Sequence, residues 1–539
     1  MKKYINYFKE LLNDKSFMIP LFIFLVLSFG FTITHMTVNI DTLSYDRYFY
    51  GYELIAQRRV GSVLLNKILN CFYYNPFFID TTAIVVLAFA SMMYCVLIKE
   101  VSNNKIRPIC LTIFACFFTT YSIMPEIFTY SPIGLNIGLG YLFTAFALIS
   151  IYEYSKSNKI KFLIFSTLFM LYPISTYESF ASVYLVGIFI ILILKYFYNK
   201  DNNTNFKYLF FYCLKSVIPL AVSIIISYII SSILIKILGL SISHNAEKFI
   251  SYTKGIPFGI KYLFNGLIEN YLIPSLYYLP MTYLNLALLV SIILGIYYNI
   301  KDKNIYVFLI FIALNVSTLS LSILQGRASP YRTCQSFALT ISFIFLIVID
   351  FIIKKYKKKN LIKFFTIFIG FLLIFYQSKD MHKWFYTNYL RYEEEKNLIV
   401  YIGNELNNNY STNKPVVFLG RHKLSKNVKD VVYLRSDTLK GKIVNKIYSL
   451  KKNYTNNNSE YVKQITQTSI NSYITWATYA FNEPATELIK FFNLLGFNIT
   501  QATKEMQKEA NLYIQSNLYE KKNVIFIERD NYIIVLFNN

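Results

Sequence analysis

The stretch FMIPLFIFLVLSFGFTITHM, residues 17–36, decides the fold class of this chain. It holds no Asp, Glu, Lys or Arg, and about 20 such residues are enough to cross a bilayer as a helix. The preceding Met1-Lys2-Lys3 resembles the start of a signal peptide. However, the apolar segment is long for that role, and Thr32–Met36 offers no small-residue cleavage site. We therefore interpret residues 17–36 as a retained first membrane span.

Further apolar segments follow at intervals over roughly the first 378 residues. Hydrophobic residues make up 55% of the 539-residue chain, and its mean hydropathy is +0.39, which is typical of a polytopic membrane protein. With the first span, the pattern predicts about eleven spans. The other predicted spans are 77–98, 106–122, 128–151, 160–174, 179–198, 209–238, 278–299, 305–324, 334–353 and 361–378.

Charge predicts how these spans are oriented. The formal net charge is +24, and much of the basic excess lies in alternate short loops, whereas the other loops carry few Lys or Arg. Cytoplasmic loops are enriched in Lys and Arg, so the N-terminus is expected in the cytoplasm and, after eleven crossings, the C-terminal region outside. The basic residues thus reflect topology, and no basic face of a soluble domain predicts nucleic-acid binding.

Two of the predicted external connections are long. Within 37–76, residues 45–69 alternate apolar and polar side chains at helical spacing, which predicts one amphipathic helix lying on the membrane interface. Residues 239–277 contain the breakers Gly255-Ile256-Pro257 and Ile273-Pro274, and we expect a partly helical flap there.

From about residue 380 the composition shifts to Asn, Lys, Glu and Ser, which predicts a membrane domain over 1–379 and a soluble α/β domain over 380–539. Strands are expected at 415–420 and 431–434, and a hairpin at 523–528 and 532–537 around Arg529-Asp530-Asn531. Helical patterns occupy 390–406 and 484–496. The domain shows no Gly-rich phosphate loop and no metal-ligand spacing.

The first external loop carries two candidate catalytic acids, Asp41 and Asp46. A carboxylate there can act as a general base that takes the proton of an attacking sugar hydroxyl. The alternative is that Asp41 caps the following helix or is a solvated loop acid.

Arginines near the same predicted membrane face are candidates for phosphate binding. Arg58 and Arg59 lie in the predicted interfacial helix, and Arg327 and Arg332 lie between the ninth and tenth spans. A guanidinium binds phosphate oxygens bidentately and stays charged at low dielectric. The alternative for Arg58 and Arg59 is contact with anionic lipid headgroups.

Glu126, Tyr177 and Glu178 are further candidate site residues, because they lie near the bilayer edge on the same predicted side. Their alternative is structural, since acids are favoured at helix N-termini. The four histidines are scattered and form no ligand cluster, so no metal site is predicted.

Together, Asp41 after the first span, the Gln57–Gly61 run, Tyr177, the Arg327–Arg332 loop and the 415–420 strand resemble the serotype-converting glucosyltransferase family of bacterial membranes. The resemblance implies a fold similar to the polytopic GT-C glycosyltransferases and a polyprenyl-phosphate sugar donor, usually glucose. It also implies transfer to a surface polysaccharide such as O-antigen or a wall polymer, at the outer face of the bacterial cytoplasmic membrane. The donor would be made and flipped outward by a separate synthase and flippase.

The chain departs from the family pattern at three places. Asp41 and Asp46 are separated rather than adjacent, Arg58-Arg59-Val60 stands where relatives often have Gly-Arg-Trp, and Glu178 stands where Gln is expected. Which of Asp41 and Asp46 is the base therefore stays open.

Other functions compete with this hypothesis. A flippase or transporter of lipid-linked sugars would place its ionisable groups near mid-membrane and often shows inverted repeats, and neither pattern is visible. An O-antigen-type polymerase or ligase would depend on external arginines more than on an acid of the first loop. Transfer from a polyprenyl phosphate requires no cofactor, although carboxylates and phosphate can together hold a divalent cation.

Overall fold

The computed structural model describes residues 2–39, 42–43, 51–69, 75–129, 131–198, 206–242, 251–272, 285–326, 331–410, 413–425, 428, 472–480, 484–516 and 523–538. The chain divides into two compact units. The first comprises Met1–Thr34 and Arg47–His382, and the second comprises His35–Asp46 and Lys383–Asn539.

The first unit is built from helices. In chain order they are α1 Lys2–Asn13, α2 Lys15–Thr34, α3 Tyr52–Ala56, α4 Val60–Ile68, α5 Pro76–Val101, α6 Pro108–Thr119, α7 Met124–Thr129, α8 Ser131–Ser157, α9 Ile160–Thr176, α10 Phe180–Tyr198, α11 Phe206–Ile237, α12 Ile256–Leu272, α13 Ala287–Asp302, α14 Ile305–Thr318, α15 Ser320–Gln325, α16 Gln335–Lys355 and α17 Asn360–Asn409. Short 3-10 helices lie at Ser251–Lys254 and Tyr331–Thr333. The local sequence explains where some helices begin. Helices α5 and α6 begin with proline, and Asn75 caps α5 because its side chain accepts a hydrogen bond from the backbone N–H of Phe78 at 3.3 Å.

Within the described residues, seven helices are long and apolar enough to cross a membrane: α2, α5, α8, α10, α11, α16 and α17. Each coincides with a segment that the sequence predicts to be a span. The predicted class, an α-helical polytopic membrane protein with a small α/β part at its C-terminus, is confirmed.

The other four of the eleven predicted spans form shorter helices, α6, α9, α13 and α14. The clearest case is α6, whose 12 residues reach about 18 Å, less than a hydrocarbon core of about 30 Å. Every residue from Cys110 to Thr119 is buried within the protein. Its apolar sequence therefore serves packing inside the bundle, and hydropathy alone does not separate such a helix from a span.

The predicted single interfacial helix over residues 45–69 is wrong in its continuity. The described part forms two helices, α3 and α4, with a break at residues 57–59. The break arises because Arg58 takes a left-handed backbone conformation with φ of 63°, which ends α3. The predicted helical content of 239–277 is confirmed by α12, which follows Gly255 at φ 109°.

The second unit contains a three-stranded sheet in the order β1-β3-β2. Its strands are β1 Val416–Arg421, β2 Val524–Glu528 and β3 Ile533–Asn538, and its helices after α17 are α18 Tyr473–Tyr479, α19 Thr486–Leu494 and α20 Lys504–Gln515. Strand β3 runs parallel to β1 and antiparallel to β2, with Phe418 opposite Val535. The predicted strand at 415–420, the hairpin and the helix at 484–496 are confirmed, whereas the strand expected at 431–434 lies outside the described residues.

The sheet separates two apolar clusters, because side chains alternate between the faces of a strand. Phe418, Val535 and Phe537 pack on one face with the α19 residues Phe491 and Phe492. Val417, Leu419, Ile534 and Leu536 pack on the other face with residues of α20. Helix α17 reaches this unit without a break, so the span predicted at 361–378 and the helix predicted at 390–406 are one helix of 50 residues.

Candidate functional site

Residues 57–59 form an elbow between α3 and α4. Its two adjacent arginines, Arg58 and Arg59, contact different parts of the first unit. The Arg58 guanidinium donates to the hydroxyls of Ser231 at 3.1 Å and Ser232 at 2.8 Å, and it lies 3.9 Å from the centre of the Tyr228 ring. All three partners belong to α11. Arg58 therefore fastens the elbow to α11.

Arg59 contacts a different element. Its guanidinium lies 4.6 Å from the centre of the Tyr177 ring, a distance typical of a cation–π interaction. Helix α9 ends just before Tyr177, whose backbone N–H donates to the carbonyl of Pro173 at 2.8 Å. The structure thus brings together Arg59 and Tyr177, two of the residues that the sequence singles out.

A glycine allows this close approach of α4 to α9. A Cβ atom on Gly61 would lie 2.4 Å from the Ser175 hydroxyl oxygen and 2.6 Å from that of Thr176. Such distances are well inside van der Waals contact, so a side chain at position 61 would push the two helices apart.

Glu126 lies in the short helix α7, beside the 3-10 helix Tyr331–Thr333. Its carboxylate accepts a hydrogen bond from the backbone N–H of Arg332, while Oε2 is buried without a hydrogen bond to a described residue. Burial raises the pKa of Glu126 from 4.5 to about 7, and the positive charge of Arg332 lowers it only partly. Glu126 is therefore an acid that can gain or lose a proton near neutral pH.

Gln335 and Ser179 connect the pair Arg59 and Tyr177 with the pair Glu126 and Arg332. Neither Gln335 nor Ser179 is among the residues predicted from the sequence. The Ser179 hydroxyl donates to Oε1 of Gln335, and Nε2 of Gln335 donates to the carbonyl of Arg332 at 2.8 Å. Both side chains are buried. The sequence signal that points to Gln335 is a polar amide at the start of an apolar segment, since such a group requires hydrogen-bond partners when it is buried.

One chain of contacts therefore runs from Arg59 and Tyr177, through Ser179 and Gln335, to Arg332 and Glu126. Glu178 is exposed between Tyr177 and Ser179. Asp41, Asp46 and Arg327 lie outside the described residues. At one end of this chain of contacts Arg59 lies over Tyr177, and at the other a titratable carboxyl lies beside Arg332, so its residues include groups that can bind an anion and exchange a proton.

In the second unit, the backbone on both sides of the predicted base is held in place. The Asn39 N–H donates to the Thr42 hydroxyl at 3.0 Å, and the Thr42 N–H donates to the carbonyl of Asn39 at 3.0 Å. Arg391 of α17 donates to Oδ1 of Asn39 at 2.8 Å and to the carbonyl of Val38. Arg391 is not among the residues predicted from the sequence, because Val38 and Asn39 lie more than 350 positions away from it.

Arg391 is held by its own ion pair. Its guanidinium lies 2.8 Å from the carboxylate of Glu395, and the two side chains are 3% and 0% exposed. Glu395 also accepts from the hydroxyl of Ser472 at 2.7 Å and from the N–H of Ile474 at 3.1 Å. The pair thus connects α17, α18 and the segment that follows the first span.

Among the described residues, no group of three or more His, Cys, Asp and Glu side chains could hold a metal ion. Asp41 and Asp46 are not among them, so a divalent cation bound with their help stays a prediction.

A family model described as glucosyl transferase GtrII matches residues 30–379. The chain belongs to this family. The match covers every candidate site residue and most of the chain, so the predicted resemblance is confirmed. Membership supports glycosyl transfer in a membrane as the activity, and it accords with the predicted GT-C-like architecture.

No curated protein matches the chain. Among solved structures, the chain is similar to the oligosaccharyltransferase of Archaeoglobus fulgidus, whose crystal structure is a complex with Zn and sulfate. The identity is 12% and the TM-score 0.34, over 67% of this chain and 53% of the archaeal one. The chain thus spans about half the length of that enzyme.

Proposed function

We propose that this protein transfers a hexose, glucose in the first instance, from a polyprenyl-phosphate donor to a cell-surface polysaccharide or wall polymer. The observation that carries the proposal is the match to the glucosyl transferase GtrII family over residues 30–379. The apolar helices support a lipid-linked donor, because such a donor would lie in the same bilayer as the enzyme.

In the proposed reaction, an acceptor hydroxyl attacks the anomeric carbon of the donor. The new C–O bond forms as the bond from that carbon to the phosphate oxygen breaks, and the electron pair leaves with polyprenyl phosphate. A base takes the acceptor proton, and attack from the opposite face inverts the configuration of the sugar. Because polyprenyl phosphate is already a competent leaving group, the reaction requires no cofactor, although a divalent cation can assist it.

Asp41 is our first candidate for the base, and Asp46 the second, because both follow the first span on the predicted outer side. Glu126 is a third candidate acid. Its carboxyl lies beside Arg332, and its pKa of about 7 suits proton transfer at neutral pH.

Arg59 and Arg332 are our first candidates for the donor phosphate. They lie in the same chain of contacts as Tyr177 and Glu126, and a fixed guanidinium stabilises the charge that develops on the leaving phosphate. Arg327 shares a predicted loop with Arg332 and stays a candidate from the sequence. Arg58 is engaged by α11, so we assign it to holding the elbow rather than to the phosphate.

The reaction is proposed at the outer face of the bacterial cytoplasmic membrane, with the N-terminus in the cytoplasm and the C-terminal unit outside. The donor would come from a separate synthase and flippase, and the acceptor is a surface polysaccharide. Nucleic acid has no part in it.

The test is transfer of labelled glucose from synthetic polyprenyl-phosphate glucose to surface polysaccharide in washed membranes. Membranes with the protein should form labelled polysaccharide, and the new linkage should have the inverted configuration by NMR. Asp41→Asn should lower the rate by about 10³-fold or more, since a general base contributes roughly 10²–10⁴-fold. The control Asp530→Asn, at an exposed acid of the hairpin, should leave the rate unchanged.

Transfer from a nucleotide sugar without the lipid donor would refute the proposed donor. Full activity of Asp41→Asn together with loss of activity in Glu126→Gln would move the base to Glu126. A flippase would instead move the labelled donor across sealed vesicles without forming a glycosidic bond. A polymerase or ligase would lengthen or move whole oligosaccharides and would lose activity in Arg332→Gln while keeping it in Asp41→Asn.

A further inference from the structure

A polar cavity lies at the lysine-rich end of the first unit, and none of the candidate site residues lines it. It has a volume of about 1140 Å³, which exceeds the range of about 300–1,000 Å³ typical of small-molecule pockets. The ends of α10, α13 and α16 and the start of α14 surround it. Its lining includes the acids Asp302 and Asp350, the lysines Lys301, Lys354 and Lys355, and four tyrosines.

Asp350 is the most deeply buried charged group of the lining, with 1% of its surface exposed. Its Oδ2 accepts from the Tyr198 hydroxyl at 2.5 Å and lies 2.6 Å from the ammonium of Lys354. Its Oδ1 is buried without a hydrogen bond to a described residue. A buried carboxylate oxygen without a donor is costly, and a ligand that brings an N–H donor would satisfy it once the Lys354 side chain moves aside and opens Asp350 to the cavity.

The helix ends around the cavity also favour a cation. Helices α10, α13 and α16 all end there, and their last carbonyl groups carry partial negative charge. The rings of Tyr198, Tyr297 and Tyr298 line the cavity, and aromatic faces attract ammonium groups.

Two exposed lysines supply the opposite charge. Lys301 and Lys355 form no ion pair with a described acid, and their ammonium groups lie near the rings of Tyr298 at 5.5 Å and Phe351 at 5.8 Å. The lining thus combines a buried carboxylate with exposed ammonium groups.

We propose that this cavity binds the headgroup of an aminophospholipid, a phosphate diester that carries a primary ammonium. The ammonium donates to Asp350, and the phosphate lies between Lys301 and Lys355. Basic pockets between membrane helices on the cytoplasmic side are known to bind lipid headgroups, and the positive-inside pattern places this end of the helices there. The site is separate from the proposed transfer reaction.

The experiment uses the purified full-length protein in a neutral detergent, stripped of native lipid. Native mass spectrometry measures the binding of phosphatidylethanolamine, phosphatidylcholine and phosphatidylglycerol with identical acyl chains. Phosphatidylethanolamine should bind at least about tenfold more tightly than the other two, because only its headgroup carries both a phosphate and N–H donors. Free phosphoethanolamine at equal concentration should compete poorly.

Variants assign the binding to the cavity. The double variant Lys301→Gln/Lys355→Gln should weaken phosphatidylethanolamine binding about tenfold. The control double variant Lys357→Gln/Lys358→Gln changes two lysines near Lys355 that do not line the cavity, and it should leave the binding unchanged. Asp350→Asn should remove the preference for phosphatidylethanolamine over phosphatidylcholine. Equal binding of the three lipids, or equal loss in both lysine pairs, would overturn the proposal. Effective competition by phosphoethanolamine would show that the ligand is a soluble molecule.

Discussion

At the scale of single residues, Glu126 shows how position sets the chemistry of a carboxyl. An ordinary glutamate is ionised at neutral pH, but burial raises the pKa of Glu126 to about 7. Between pH 4.5 and 7 the folded protein therefore holds a proton that the unfolded chain releases. The stability gained from this proton is complete below about pH 4.5 and is lost as the pH rises through 7.

We predict that Glu126→Gln stabilises the protein at pH 8 relative to the wild type, because an amide has no charge to bury. The gain should shrink as the pH falls toward 5, and it should not exceed about 3 kcal/mol. Thermal unfolding at pH 5, 6.5 and 8 measures it. Glu178→Gln, at the exposed acid nearby, is the control and should show no such pH dependence. The same midpoint difference at every pH would contradict the prediction.

The residue types of the candidate site could be predicted from the sequence, but their partners could not. Arg58 and Arg59 are equivalent candidates in the sequence, and the structure separates them because Ser231 and Ser232, more than 170 positions away, hold Arg58. Gln335 and Ser179 escaped the sequence reasoning for the same reason, since they are 156 positions apart. Such roles depend on tertiary contacts, which no local pattern records.

At the scale of elements, sequence patterns predicted the strands and most helices well. The hairpin of β2 and β3 follows from two apolar runs around Arg529-Asp530-Asn531. The continuity of α17 could not be predicted in this way, because its composition changes from apolar to polar along its length. The change in hydropathy predicts a boundary between domains near residue 380, whereas the helical backbone of α17 continues through that point.

The contact of α17 with the segment after the first span leads to an element-scale prediction. Arg391→Ala should lower the free energy of unfolding by about 3–5 kcal/mol, because it leaves the buried Glu395 carboxylate without its cation. It should also impair transfer, since Asn39 loses the guanidinium that holds it. Chemical denaturation monitored by the fluorescence of the two tryptophans, Trp384 and Trp476, measures the first effect.

Lys396→Ala is the matched control, because Lys396 pairs with Glu393 on the same helix with both side chains about one-third exposed. Exposed pairs contribute about 0–1 kcal/mol. Equal destabilisation by Arg391→Ala and Lys396→Ala would show that the buried pair has no special role.

At the scale of the whole molecule, the distribution of lysine predicts the orientation in the membrane. A phosphatase reporter fused after Asn539 should be active outside the cell, and a fluorescent reporter at the same position should stay dark. The control fusion after Lys359, before α17, should show the opposite result. The ratio of the two signals should change by roughly tenfold or more between the fusion sites, given opposite sides of the membrane. Identical signals at both sites would mean that α17 does not cross.

The number of crossings is the least predictable property at this scale. The apolar pattern of the sequence identifies eleven segments, but a buried helix such as α6 and a largely exposed helix such as α2 are similarly apolar. What distinguishes them is burial by neighbouring helices, which follows only from the assembled bundle.

The elbow at Arg58 has one further consequence. Removing a single residue from it would rotate all of α4 by about 100° about its axis. Ser62 or its neighbour would then face Ser175 and Thr176, where only glycine fits, and Arg59 would turn from Tyr177. We therefore expect the length of this short segment to be as constrained as its side chains, so that it accepts no insertion or deletion.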